Sequence, residues 1–105
     1  MSQHKKQIRE AFRNAVFDRD GCKCRVCGNG DGYILDAHHI VDRNELPNGG
    51  YVAENGISLC PECHVKAEEY HSTGGKTFVT GYSPQELYAL IGSSAEKARK
   101  ASEKL

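Results

Sequence analysis

Tryptophan is missing from these 105 residues, aromatics make up only 8% and apolar residues 38%, so little is available for a large hydrophobic core. A chain of this length buries too small an apolar area to be stable on its core alone with much margin. Frequent glycine, 11 in all, points to a loop-rich body that needs a further staple. Long hydrophobic runs are lacking, which excludes a helix that spans a membrane. The segment Met1–Lys6 is polar and charged and has no apolar stretch resembling a signal peptide. The expectation is therefore a cytoplasmic protein with reduced thiols and no membrane partner.

An excess of either charge is lacking too, since the formal net charge is zero. Neutralising phosphates is the main source of affinity for nucleic acid, so the total alone disfavours that partner. The distribution reverses the argument. Residues 1–26 carry seven basic and three acidic side chains, 27–70 two and eight, and 71–105 five and three, giving +4, −6 and +2. An acidic middle between basic arms suits a cation held between two phosphate-contacting segments, although solvated surface charge gives the same pattern.

Ile8, Ala11, Phe12, Ala15 and Val16 recur at helical spacing, and Lys5, Arg9 and Arg13 form an i, i+4 row on another face. This predicts a basic amphipathic helix over 1–17, ended by Asp18, Asp20 and Gly21. A knuckle follows at Cys22–Gly28, then turn chemistry at Asn29–Gly32, then a short strand from Tyr33-Ile34-Leu35 into Asp36–Val41. Gly56–Leu59 reads as a second strand. Pro61 suits the first turn of a helix carrying Cys63, His64, Ala67, Glu68 and His71, which Gly74-Gly75 stops. Ser83-Pro84-Gln85-Glu86 has the form of a capping box, opening a C-terminal helical segment over 83–105. Its end, Ser94–Leu105, is polar and reads as a solvated extension or a basic arm that orders on a partner. No repeat or domain boundary is visible, so 1–105 reads as one domain with a core at 18–73.

Cys24-x-x-Cys27 and Cys60-x-x-Cys63 lie 33 positions apart. Two such pairs in a short reduced chain are strong grounds for a tetrahedral four-cysteine zinc site, and binding energy at such a site is folding energy. That supplies the missing staple. A redox role fits poorly, because neither pair sits in the strand–helix setting of thioredoxin-like chemistry. Cys22 is left over as a spare thiol or as an alternative to Cys24.

His38 and His39 stand in tandem at the end of a strand and project to opposite sides, so one can hold a metal while the other faces something else. His64 follows Cys63 directly, with Glu68 at i+4 and His71 at i+7 on one helical face. A metal between His38 and His64, completed by Glu68, waters or substrate oxygens, is an open site of the kind catalysis needs. Imidazole ligands suit Mn²⁺, Ni²⁺, Co²⁺ or Zn²⁺, and Glu68 shifts the preference back toward Mg²⁺. His71 is either a helix-end charge or a further contact.

The motifs Arg19-Asp20-Gly21, Cys24-Arg25-Val26-Cys27-Gly28, Leu35-Asp36-Ala37-His38-His39-Ile40, Asn55-Gly56-Ile57-Ser58-Leu59-Cys60 and Cys63-His64 occur in that order. Together they resemble the HNH, or ββα-metal, endonuclease family over roughly residues 18–71. The resemblance implies an α+β fold of the ββα-metal (His-Me finger) type with a four-cysteine zinc site and flanking helices. It implies His38 and His64 as ligands of a catalytic divalent ion, with Glu68 as an additional ligand in some members, and His39 as general base. Asn55 is the middle letter of the family name; there it commonly braces the loop and helps to orient the base. Asp42-Arg43 departs from the family, where a proline often stands. The implied reaction is hydrolysis of DNA phosphodiester bonds to 5′-phosphate and 3′-hydroxyl ends.

Lys5, Lys6, Arg9, Arg13, Lys97, Arg99 and Lys100 are the expected DNA contacts. One active site and no apolar stripe for pairing two copies predict a monomer that nicks. The rival from another class is a zinc-binding DNA-binding or scaffold module without catalysis, which needs the tetrad but not His38, His39, Asn55 and His64. Service in a phage or mobile-element machine would change only the partners.

Overall fold

A computed structural model describes residues 2–30 and 34–105 of the chain. The turn expected at Asn29–Gly32 and the strand expected from Tyr33 fall partly outside the described residues. The elements run α1 (Ser2–Arg19), β1 (Asp36–His39), β2 (Gly56–Leu59), α2 (Pro61–Ser72), α3 (Pro84–Leu90) and α4 (Ala95–Glu103). Three short 3₁₀ turns at Arg43–Glu45, Pro47–Gly50 and Ala53–Asn55 carry the chain between the strands.

The two strands are antiparallel, with Asp36 opposite Leu59, Ala37 opposite Ser58, His38 opposite Ile57 and His39 opposite Gly56. Every residue of β2 is buried, the hydrogen-bonded Ser58 included, and Pro61 opens α2 just beyond it. With α2 the pair forms a ββα unit, in keeping with the expected α+β class and ββα-metal fold. β1 is shorter than expected. Its partner has four residues, so only Asp36–His39 find pairing, and Ile34 is left 81% exposed.

α1 crosses β2 at Gly56, where an added Cβ would lie 2.5 Å from Val16 Cγ2 and 2.6 Å from Phe12 Cε1. Glycine is required there by the closeness of the helix. Phe12 and Val16 are the buried residues of the expected apolar face, whereas Ala11 and Ala15 are exposed. The helix end is tied down by Asp20. Its buried carboxylate accepts from Arg19 Nε at 2.8 Å and from the backbone N–H of Ser58 at 2.9 Å. Burial pushes the Asp20 pKa up, but these hydrogen bonds outweigh it and hold the group below its ordinary value.

The capping box forms as expected: Ser83 Oγ accepts from Glu86 N–H, and Glu86 Oε1 accepts from Ser83 N–H. The C-terminal segment corrects the expectation of a solvated arm. Ala98 and Ser102 of α4 are fully buried against the turns at Pro47–Gly50 and Ala53–Asn55, and Asn48 Nδ2 donates to Ser102 O at 2.9 Å. Two small residues at i, i+4 let the helix approach closely without an apolar stripe. Among the described residues no helix is long and apolar enough to cross a membrane.

Candidate metal centres and catalytic cleft

The knuckle at 24–27 is held by its own backbone, with Gly28 N–H donating to Cys24 O, and is pinned to β2 by Arg25 N–H donating to Ser58 O at 2.9 Å. Cys60 precedes α2 and Cys63 lies in its first turn, so strand and helix together aim two thiols at the knuckle. The sulfurs of Cys24, Cys27, Cys60 and Cys63 all lie within 4.8 Å of one another, and those of Cys27 and Cys60 are 3.6 Å apart. A tetrahedron with Zn–S bonds of about 2.3 Å has edges of roughly 3.8 Å, so the cluster fits zinc. Burial raises the Cys24 pKa, but backbone N–H groups of Cys27, Cys60 and Val26 outweigh it and bring the thiol down to about 7. Burial pushes Cys63 up to about 12, against a hydrogen bond from Tyr82 Oη at 3.3 Å. A bound cation is what would make all four thiolates compatible. Cys22 is exposed and stands outside the cluster.

On another face of α2, His38 meets His64 and Glu68. Glu68 Oε1 is 3.4 Å from His38 Nδ1 and 3.2 Å from His64 Nε2. Ligand–metal bonds of about 2.0–2.1 Å in a tetrahedron give edges of roughly 3.3–3.4 Å, which these separations match. His38 is buried, and neither ring nitrogen has a hydrogen-bond partner among the described residues, the Glu68 contact lacking the geometry of one. Burial, reinforced by the neighbouring His64, His71 and His39, pushes the His38 pKa down to about 3. A neutral, buried imidazole with both nitrogens free is suited to ligation, since an unmet buried polar group is otherwise costly. Asp36, two residues before His38 on the same strand face, lies 3.1 Å from His64 Nδ1 and fixes that ring's orientation.

His39 points the other way, as alternation along a strand demands. Its ring stacks on Phe12 with centroids 4.6 Å apart and meets Tyr51 edge-on at 4.7 Å. Burial and the Arg43 charge lower its pKa, opposed by Asp42 and Glu68, so the ring is neutral at neutral pH. His71 Nε2 lies 3.2 Å from the His39 carbonyl oxygen, to which its N–H donates. Both histidines of β1 line one cleft of about 390 Å³ with Arg43, His64, Glu68 and His71.

Residues 24–69 match the family model of the HNH endonucleases. Over that segment, a little under half of its length, the chain is similar to the HNH endonucleases. No curated protein and no solved structure gives a match to the chain. The HNH match spans both cysteine pairs, the tandem histidines, Asn55, His64 and Glu68.

Asn55 stands behind the cleft, in the bracing position that the resemblance implies. Its side chain is fully buried, accepts from Val41 N–H at 3.0 Å and Tyr88 Oη at 2.7 Å, and donates to Val41 O at 3.0 Å and Gly50 O at 3.2 Å. These four bonds use its hydrogen-bonding capacity, and it does not line the cleft. It braces the turn after the tandem histidines. Tyr88, supplied by α3 from beyond the HNH match, completes that brace. Sequence reasoning also passed over Arg43, Tyr51 and Phe12 as surroundings of His39. Asp36 was open to detection by its i, i+2 relation to His38. The expected DNA contacts are split: Lys5, Lys6, Arg9 and Arg13 lie exposed on α1, while Lys97, Arg99 and Lys100 lie exposed on α4 and line no part of the cleft.

Proposed function

We propose that this protein is a metal-dependent DNA endonuclease that nicks as a monomer in a reducing, cytoplasmic setting. The observation that carries the reading is His38, buried with both ring nitrogens free, set at metal-ligand spacing from His64 and Glu68 and next to a neutral His39. His38, His64 and Glu68 would hold one divalent ion. Such an ion supplies Lewis-acid stabilisation of charge on the phosphate and the leaving oxygen.

The chain's own groups do the rest. His39 Nε2 is buried and unpartnered, which leaves Nδ1 to face the cleft and take the proton of the attacking water. Phe12 and Tyr51 hold the ring's plane, and His71 holds its backbone through the carbonyl. Asp36 orients His64. Cys24, Cys27, Cys60 and Cys63 would hold zinc and so fix α2 against the sheet. The exposed cations of α1 and α4 would contact the DNA backbone, a contact that positions without reading sequence.

Supercoiled plasmid incubated with Mg²⁺, Mn²⁺ or Ni²⁺, with and without chelator, tests the reading. Open circles should appear first, with 5′-phosphate ends, and linear molecules late. His39→Ala should slow nicking by about 10²- to 10⁴-fold with fold and zinc content intact. Absence of cleavage with every ion, together with one bound zinc and no second exchangeable ion, would establish the scaffold alternative. Linear product at the outset with a dimer-sized species would overturn monomeric nicking alone.

A further inference from the structure

Arg43 stands between two cavities. On one side it lines the catalytic cleft with His39 and Asp42. On the other it lines a second cavity of about 250 Å³ with Lys5, Ile8, Arg9, Asn48 and Tyr51. That wall carries three cations and no carboxylate, in a chain whose charges sum to zero. Like charges brought together raise one another's energy, and an anion among them relieves it. The carboxylates Asp42 and Glu68 line the cleft and Glu10 the depression along α1, not this cavity.

Tyr51 joins this cavity to the base. Arg43 Nη1 donates to its hydroxyl at 3.3 Å, the Arg9 guanidinium lies 5.8 Å from its ring centroid, and the same ring meets His39 edge-on. Burial raises the Tyr51 pKa, but the two guanidiniums outweigh it and lower the group below its ordinary value. The basic surface continues past Arg9, because Lys5, Lys6, Arg9 and Arg13 line a further depression along α1. The row Lys5, Arg9, Arg13 advances about 6 Å per step along the helix, a stride comparable to that of successive phosphates in a nucleic-acid strand.

We infer that Arg43, Arg9, Lys5 and Tyr51 form a subsite for a second backbone phosphate, next to the one being cut and on the His39 side of the cleft. The inference rests on the nuclease reading above and extends it to substrate length. Guanidinium forks match phosphate oxygens, and the Tyr51 hydroxyl adds a donor at the same place. The strand runs from the cleft past Arg43, over Tyr51 and onto the row of α1. Phosphate contacts carry no base information, so the subsite demands a neighbouring phosphodiester and not a sequence. A lone diester such as bis-(p-nitrophenyl) phosphate has nothing to place there.

The test compares Arg9→Gln, Lys5→Gln and Tyr51→Phe with the parent protein on an oligonucleotide duplex and on bis-(p-nitrophenyl) phosphate. Arg9→Gln should raise KM for the duplex about tenfold, the scale of one charge-assisted hydrogen bond, and much more than it alters turnover of the small diester. Lys5→Gln and Tyr51→Phe should act in the same direction by a few-fold. Duplex binding followed by fluorescence anisotropy without added divalent ion should lose about 0.9 from its log–log salt slope in each charge variant. Equal losses on both substrates, or an unaltered KM and salt slope, would overturn the subsite. If the parent hydrolyses neither substrate, the nuclease reading fails, and the salt slopes still decide whether these residues hold phosphate.

Discussion

Replacing Asn55 with Ala separates bracing from chemistry. The substitution removes a carboxamide that is fully buried and holds Val41 N–H and C=O, Gly50 C=O and Tyr88 Oη at 2.7–3.2 Å. Each buried partner left unmet costs about 1–3 kcal/mol. The Tyr88 hydroxyl can rotate and water can enter the space, so taking two of the four groups as unmet gives about 2–6 kcal/mol. A domain of this size has roughly 5–15 kcal/mol in total. At about 4–8 °C per kcal/mol, even the lower figure moves the melting point by roughly 8–16 °C. The assay is a circular-dichroism melt of the zinc-loaded protein, paired with plasmid nicking at a temperature below both transitions. Loss of activity should follow loss of fold, whereas His39→Ala should lose activity without losing fold. A melting point unchanged in Asn55→Ala, with nicking lowered by orders of magnitude, would refute the brace and return Asn55 to the reaction itself.

Cys60→Ser removes one thiolate of the tetrad, and should abolish stoichiometric zinc and lower the melting point sharply; an unchanged melt would show that the tetrad is not structural. Deleting Ser94–Leu105 uncovers the turns on which Ala98 and Ser102 are buried, so the melting point should fall along with DNA affinity. Lost affinity with an unaltered melt would refute the docking of α4. His39 must be neutral to accept a proton, and its pKa lies below the ordinary 6.5. The acid limb of nicking, where the ring protonates, should therefore be centred below pH 6.5 and be absent in His39→Ala. An acid limb centred above pH 6.5 would contradict the assignment.

The parts of the site legible in the sequence are those marked by spacing or by backbone chemistry. Two CxxC pairs, adjacent histidines on a strand, Pro61 at a helix start and Ser83 with Glu86 each carry a local signal. Those signals place the ββα unit and bring His38, His64 and Glu68 within reach of one another. The extent of β1 is not legible, because Ile34 and Leu35 have a strand's composition, yet pairing depends on a partner that ends at Leu59. The docking of α4 is hidden because its buried face consists of Ala98 and Ser102, which leave no hydrophobic trace. Asn55 carries a family role, but a hydrogen-bond count exists only in three dimensions. The surroundings of His39 are hidden for the same reason: Phe12 and Tyr51 lie 27 positions before it and 12 after it, and a crossing helix and a turn bring them together.

Cys63 and His64 are neighbours in the chain, about 100° apart around α2, one in the thiol cluster and the other in the cleft. That adjacency ranks the two centres. An ion held in the cleft could leave without disturbing the helix, because a filled tetrad would already fix the elements that carry His38 and His64. Loss of an ion from the tetrad would free the first turn of α2 and scatter the cleft with it. Graded chelation should accordingly inactivate in two phases. The first is restored by adding back a divalent ion alone, and the second only by refolding around zinc.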